Sequence, residues 1–582
     1  MSLDVETTNL EKGSALNARN RLLLAVCILG PDHPSRGRLG RVVRLWNGEH
    51  DSGELVRLVE ECGFLVAHNA KFELQWLRRC GVDLRSVVTF CTQIGQYCIN
   101  GNRRRPLSLD ALTGGGKKRY VHWLIENGVC PSEIAPSALA EYCQEDTELC
   151  EKLFLDQRVK MQELGLLPVV YQRNLVTPAL ADIEFSGVKA DHERVKSTHT
   201  SVLGDYQDAV SRLEQITGAV NWNSTKQVSD VLYGSLRFSE LVDKRGNPLR
   251  TGKGGKRTDA TTIASLYAET PEQRAFKRAY RKLAPLKKQV QILEKLVKAC
   301  EEDNGLIYAR FNQTVTQTHR LSSTGGKWKF QFHNFPRAFK SLFTCRKPGW
   351  SIAEADAPQL EFRAAVFLGN DSKGKQLIET GGDVHALSAR IIGVDRQEAK
   401  KHTFKPLYGG ESGTKKEQAY YEAFRKEYPD IYRTQESWVQ QVVANKQLRI
   451  PSGLIFYWPE AKLVRYGKSL RLNVRANVFN YPVQSFATAD IIPLTLVLLW
   501  HMLKGMQSFI CNTIHDSVIS EVHPDEVEEY KAIVELAFTG DILYAILQDL
   551  YGITFDVPLG ADLKIGQYWG EGTKFTYKAR IT

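Results

Sequence analysis

The stretch SIAEADAPQLEFR (Ser351–Arg363) runs an apolar, β-prone segment into a single acid and then a proline. SIAEA reads as a core strand entering Asp356. Pro358 suits the first turn of a helix that Gln359–Phe367 would continue. Asp356 therefore stands at a strand end, exposed at one sheet edge, where an acid can also serve as a helix cap. A second acid has similar surroundings. In FICNTIHDSVISEV (Phe509–Val522), Asp516 lies between two apolar β-prone runs, at or near a hairpin tip. Between the two acids, RQEAKKHTFKPLYGG (Arg396–Gly410) spaces Arg396, Lys400, Phe404 and Tyr408 at four-residue intervals. Each such step turns a helical side chain by only about 40°, so two cations and two aromatics share one broad face. Cations suit a triphosphate, and an aromatic suits a base or sugar. Two strand-end carboxylates can hold a pair of divalent cations. The three blocks together are equipment for in-line phosphoryl transfer to a nucleic-acid 3′ end.

The rest of the chain bounds this reading. At 582 residues it is too long for a single core, and two to four domains are expected. Hydrophobic residues make up 43% and charged residues 25%, ordinary values for a globular protein. The formal net charge of +11 suits an anionic partner without distinguishing DNA from RNA or a membrane surface. Eleven cysteines, eight of them before residue 151, form no CxxC and no zinc-ligand spacing, so reduced structural thiols are expected. The acidic, polar opening MSLDVETT does not resemble a signal peptide. The runs Leu22–Leu29 and Ile491–Trp500 are too short to span a bilayer and read as a buried strand and a core helix.

Residues 1 to about 157 alternate strand candidates (LLLAVCIL, RVVRLWN, FLVAHNA) with helical stretches, the pattern of a mixed α/β domain. Within them, Asp4 and Glu6 are two apart and share one strand face. Glu73 follows another strand in HNAKFEL, and Tyr142 and Asp146 are four apart on a helix. Four carboxylates from separate elements could hold two metal ions and activate a water. Residues of about 160–310 are mostly helical. They carry seven basic residues and no acid from Arg274 to Lys288, a solvated face or a phosphate-tracking arm. Leu286, Val290, Leu293 and Val297 form the expected core stripe beyond it.

At this point the chain resembles the family A DNA polymerases of the bacterial DNA polymerase I type. The resemblance rests on Asp356…Gln359-x-Glu361-x-Arg363, on Arg396-x3-Lys400-x3-Phe404-x3-Tyr408-Gly409, and on His515-Asp516. It extends to TQTHRLSS (Thr316–Ser323), NFPR (Asn334–Arg337), GGDVH (Gly381–His385) and NYPVQSFATAD (Asn480–Asp490). The set Asp4-x-Glu6, Asn69-x3-Glu73 and Tyr142-x3-Asp146 resembles the proofreading 3′–5′ exonuclease of the same family, a ribonuclease H-like fold. The resemblance implies a multidomain α/β and α+β protein. Residues 1–157 would form the exonuclease and 158–582 a right-hand polymerase. Its thumb would cover about 158–310, its palm about 311–382 and 476–582, and its fingers about 383–475.

It also implies roles. Asp356, Asp516 and the backbone of Ala357 would bind two Mg²⁺ ions, with Mn²⁺ as the alternative. One ion would activate the primer 3′-OH and the other would neutralise pyrophosphate. Arg396, Lys400 and His385 would grip the triphosphate, Phe404 would stack on the incoming nucleotide, and Gln359 and Tyr408 would complete its pocket. Glu361 would crowd a 2′-OH. Thr318, Arg320, Asn480, Gln484 and His515 would contact primer–template DNA, the minor groove in the case of Arg320, Asn480 and Gln484. Asp4, Glu6, Glu73 and Asp146 would hold two further ions, with Tyr142 orienting the attacking water. The expected partners are primer–template DNA, dNTPs and replisome proteins such as a helicase and a single-strand binding protein. A cytoplasmic monomer without membrane attachment, of viral or phage type, is expected.

This chain departs from the family pattern at several positions. Ala357-Pro358 replaces the usual Tyr-Ser, Ser517 the usual Glu after His-Asp, and Glu73 the usual Asp. Pro406 interrupts the finger helix near Tyr408, and only three residues precede Asp4. The competing readings are a single-subunit RNA polymerase, a non-catalytic primer–template clamp, and an exonuclease with a degenerate polymerase half. Glu361 and Phe404 argue against the first, and the acids at 356 and 516 against the second. TGKGGKRT is no phosphate-binding loop, because Arg257 stands where Ser or Thr is required.

Overall fold

The structure, a computed structural model, describes residues 1–46, 52–114, 119–243, 246–252, 254–410, 414–467 and 469–579; the side chains of residues 119, 397, 398, 400–403 and 466 lie outside that description. The chain forms two compact units. One comprises Met1–Val188, Tyr308–Ser341 and Cys345–Thr582, and the other Lys189–Ile307 with Leu342–Thr344.

The larger unit contains two five-stranded sheets. The first is built from β1 (Ser2–Thr7), β2 (Leu22–Ile28), β3 (Val42–Trp46), β4 (Leu65–Ala67) and β5 (Thr89–Cys91), in the order β3-β2-β1-β4-β5. Its β1–β2 and β2–β3 pairs are antiparallel, and its β1–β4 and β4–β5 pairs parallel. Leu3 and Val5 are buried while Asp4 and Glu6 are half-buried, the period-2 alternation that puts both acids on one face. The helix Pro136–Glu163 packs on β1 and β2. It runs without a break through residue 157, where a domain boundary was expected. The next helix, Leu167–Ser186, also belongs to the larger unit.

The second sheet comprises β6 (Ser351–Asp356), β7 (Phe509–Ile514), β8 (Ser517–Val522), β9 (Gly560–Gly566) and β10 (Thr573–Lys578), all antiparallel, in the order β7-β8-β6-β9-β10. Every residue of β8 is buried. The buried Glu521 carboxylate accepts from the Arg346 side chain (2.9 Å) and the Arg346 backbone (3.0 Å). After β6 the helix starts later than its sequence suggests, at Leu360. Gln359 sits ahead of it in the left-handed region (φ 57°), so Pro358 belongs to the corner rather than the first turn.

The apolar run Ile491–Trp500 lies in a continuous helical segment, Arg475–Met502, that is long and apolar enough to cross a membrane; 83% of its apolar window is buried in the protein. A π-turn at Phe486–Ile491 carries the buried Asp490, paired with the buried Arg173 at 2.7 Å. That ion pair and the burial mark a core helix. All eleven cysteines are free thiols.

In the smaller unit, the helices His192–Thr217 and Pro271–Glu302 pack side by side, with Leu213, Trp222, Phe276 and Leu283 in the core. The core stripe differs from the expected one. Leu296 is fully buried, whereas Val297 and Leu286 are only half-buried. Three of the seven basic residues are tied down locally. Arg274 donates to the Glu269 carbonyl (2.6 Å), Lys277 to the Ala264 carbonyl (2.9 Å), and Lys287 to that of Trp222. Arg278, Arg281, Lys282 and Lys288 are exposed.

Candidate functional site

Two residues, His515 and Asp516, join β7 to β8, and Ile514 pairs with Ser517 across the turn. His515 adopts φ 56°, uncommon for a residue with a Cβ and typical of tight or strained turns. Its Nε2 lies 2.9 Å from the His333 carbonyl. Because β6 lies between β8 and β9, Asp356 faces Ser517 on one side and Asp562 on the other, in register. The Ala357 amide donates to the Asp516 carbonyl (3.2 Å), tying the two strand ends together. Asp356 and Asp516 line the same two cavities, of about 390 and 770 Å³.

The smaller cavity gathers most of the expected residues. Gln359, Glu361, His385, Arg396, Phe404, Arg320 and His515 line it with the two acids. Arg396 pairs with Asp383 at 2.5 Å, and Asp383 also caps the helix Val384–Ile392 by accepting from the His385 amide (2.8 Å). Burial pushes the Asp383 carboxyl up, but the Arg396 and backbone donors outweigh it, so the group titrates below its usual range. His385 is buried and meets the Phe404 ring edge-on at 5.3 Å. The helix Arg396–Leu407 takes in Pro406 and then ends. Tyr408 remains bonded through its amide to the Phe404 carbonyl (3.0 Å), stacks on Phe404 at 6.2 Å, and donates its hydroxyl to Glu361. Burial, then the Glu361 charge, hold that hydroxyl protonated.

Other expected residues lie elsewhere. The Lys400 side chain is outside the described residues. Tyr408 stands beside Glu361 and is not among the lining residues. Thr318 and Ala357 are buried, Asn480 and Gln484 are half-buried, and none of these four lines either cavity. Leu321 and Thr488 line the smaller cavity in that region. Sequence reasoning missed Asp562, which lines both cavities, and the Lys340–Glu354 pair (2.5 Å), which lines the larger one. Asp562 lies inside its strand and not at its end, so it lacks the strand-end signal of Asp356. Burial and the neighbouring His515 and Arg320 push His333 down to about 3, and burial and Arg320 also lower His515. Both rings are therefore neutral near pH 7 and add no positive charge beside the acids.

A second cluster lies at the first sheet. Ligand atoms of Asp4, Glu6 and Cys143 lie within 4.8 Å of one another. The thiol of Cys143, another residue missed in the sequence, lies 3.4 Å from the Asp4 carboxylate. Glu73, on the helix Lys71–Arg79, is 3% exposed, and its Oε2 is buried with no hydrogen-bond partner among the described residues. Burial, then the Asp4 charge, push its carboxyl well up. Tyr142 is raised by burial and by Asp146, Glu6 and Asp4, so the five expected side chains share one electrostatic environment. Its hydroxyl lies 3.4 Å from His122 Nδ1.

The family model for DNA polymerase family A matches residues 192–571, well over half of the chain. The chain belongs to DNA polymerase family A. It is 26% identical over 472 residues to the thermostable DNA polymerase I of Thermus filiformis, covering 76% of this chain and 53% of that protein. It is 25% identical over 556 residues to the DNA polymerase I of Chloroflexus aurantiacus, covering 87% of this chain and 54% of that protein. The chain thus spans about half the length of the curated relatives it matches. Among solved structures, the POL domain of Pol1 from M. smegmatis, in complex with DNA primer-template and dNTP, superposes with a TM-score of 0.74 at 20% identity, covering 98% of this chain and 96% of that one. The fold is accordingly that of a family A polymerase domain.

Proposed function

We propose that the protein is a DNA-directed DNA polymerase that extends a primer 3′-OH with dNTPs and proofreads through a 3′–5′ exonuclease. The observation that carries the reading is the meeting of Asp356 and Asp516 in one polar cavity with His385, Arg396 and Phe404 on its wall. Residues 1–157 would be the exonuclease, of ribonuclease H-like type, and 158–582 the polymerase.

Oxygen-only donors from Asp356 and Asp516, with Asp562 in the same lining, fit a hard divalent cation, Mg²⁺ or Mn²⁺. When bound, such ions activate the hydroxyl nucleophile and neutralise the departing pyrophosphate. The remaining work falls to the chain. Arg396 and His385 orient the triphosphate, Lys400 follows Arg396 on the same helix, and Phe404 offers its ring to the incoming base. Glu361, held by the Tyr408 hydroxyl, closes the space next to the sugar. A 2′-OH there would be crowded. Primer–template DNA would reach the cavity past Arg320.

For the second site, the orphaned buried Glu73 oxygen beside Asp4 and Glu6 supports a cation site held by Asp4, Glu6, Glu73 and Asp146. Tyr142 would hold the attacking water. A labelled primer–template incubated with Mg²⁺, with and without dNTPs, tests both activities. Extension with dNTPs and shortening without them are expected. Absence of extension would overturn the polymerase reading, and absence of shortening the proofreading one.

A further inference from the structure

We propose that Ser517 is a positioning residue for the transfer reaction, its hydroxyl setting the orientation of the Asp356 carboxylate. The inference deepens the polymerase reading and rests on it. Ser517 Oγ donates to Asp356 Oδ1 at 2.7 Å. The two residues are register partners across β8 and β6, so the contact is built into the strand pairing and needs no extended side chain. Ser517 is 7% exposed. Its own carbonyl accepts from Thr513 Oγ1 at 3.1 Å, and it closes the two-residue turn by pairing with Ile514. The donor is thus fixed from both neighbouring strands.

The acid it holds needs such a partner. Asp356 lies in register with Asp562 on its other side, and Asp516 lines the same cavity. Asp562 is already engaged by Thr576 (2.9 Å) and Lys574 (2.9 Å). Those two groups take both Asp562 oxygens, whereas the Ser517 hydroxyl engages Asp356 at Oδ1. It occupies one oxygen and fixes the plane of the carboxylate, so that the other oxygen keeps one direction. The family resemblance puts a glutamate at this position, which could not donate to Asp356 when ionised. In this chain the position supplies a hydrogen-bond donor instead of a further negative charge. Outer partners that orient ligand carboxylates commonly govern affinity for a cation as strongly as they govern rate.

The test compares wild type with Ser517→Ala and Ser517→Thr. Mn²⁺ affinity is measured by electron paramagnetic resonance on the complex with dideoxy-terminated primer–template, all three proteins carrying Asp4→Ala so that neither extension nor shortening occurs. Steady-state extension and thermal melting are measured alongside. The alanine variant is expected to lose about 10-fold in Mn²⁺ affinity and about 10-fold in kcat, with KM for dNTP nearly unchanged. The threonine variant, which keeps the hydroxyl, is expected to recover most of both, and all three proteins to melt alike. Wild-type Mn²⁺ affinity in the alanine variant overturns the proposal. So does a loss that threonine fails to restore, or a loss that tracks a fall in melting temperature. If wild type itself does not extend the primer, the polymerase reading fails first. If wild type extends and the alanine variant matches it in rate and Mn²⁺ affinity, the role of Ser517 alone fails.

Discussion

At the scale of single residues, Glu361 and Tyr408 act as a pair. The proline in RQEAKKHTFKPLYGG left the position of Tyr408 open in the sequence, because a helix cannot continue regularly through it. The chain resolves this by ending the helix at Leu407 and letting Tyr408 bond Glu361. Glu361→Ala should therefore admit ribonucleotides, lowering the dNTP-over-rNTP ratio of kcat/KM by at least about 10-fold. Tyr408→Phe should fall between that variant and wild type, because the glutamate then loses its tether. Unchanged ratios in single-nucleotide incorporation would remove Glu361 as the sugar filter.

His319 gives a pH-dependent counterpart. It is buried, its Nε2 lies 3.0 Å from the Gly101 carbonyl, its ring stacks on Tyr97 at 4.1 Å, and its Nδ1 has no partner among the described residues. Burial and Arg173 lower it from 6.5 to about 3. A folded value below the unfolded one means that its contribution is complete above pH 6.5 and is lost as pH falls toward 3. The slope is about 1.4 kcal/mol per pH unit. In urea titrations at pH 6.5 and 5.5, an interval that begins with the unfolded imidazole half protonated, wild type should lose about 1 kcal/mol more than His319→Gln. Equal losses would place His319 outside the acid response.

At the scale of elements, strands were the most readable feature. LLLAVCIL, RVVRLWN and FLVAHNA became β2, β3 and β4, and the acids at 356 and 516 stand at strand ends as the period-2 patterns imply. Contacts between distant segments were not readable. Asp562 joins the site only because β9 pairs with β6, a partnership that no local pattern announces. Thr318 carries an expected DNA-contact motif yet is buried, because its neighbour His319 is anchored under Gly101. The basic helix shows the same limit. Seven cations were visible in sequence, but three of them brace their own unit.

Arg278, Arg281, Lys282 and Lys288, exposed and outside these three ties, are the ones most available to phosphates. Replacing Arg278, Arg281 and Lys282 with Gln should reduce the slope of log K against log salt for duplex binding by up to about 3. Lys287→Ala should lower the melting temperature and leave that slope unchanged. Fluorescence anisotropy at several salt concentrations separates the two outcomes.

At the scale of the whole molecule, the two acidic clusters sit on different sheets of the larger unit, so the two proposed activities should be separable. Asp4→Ala should abolish primer shortening and leave extension within about twofold of wild type, and Asp356→Ala should do the reverse. A gel assay of both variants, with and without dNTPs, checks this, and joint loss in either one would contradict independent sites. Family membership rests on residues 192–571. The first cluster lies outside that span and was read from the spacing of its acids and from the resemblance of that set to the family's exonuclease. There Cys143 was invisible as a neighbour of Asp4, because a helix residue next to Tyr142 reveals its strand partner only after packing.

The strand behind Asp516 is wrapped in core on both faces, so its burial would hardly register a slide of two positions. Besides the two-residue turn, the grip of Arg346 on Glu521 opposes that slide, at the opposite end of the strand from the turn. The alignment of the reacting groups is thus calibrated from a distance, as a ruler is read from its zero mark. Loosening that remote anchor would leave a buried carboxylate without its cation and be felt at the tip.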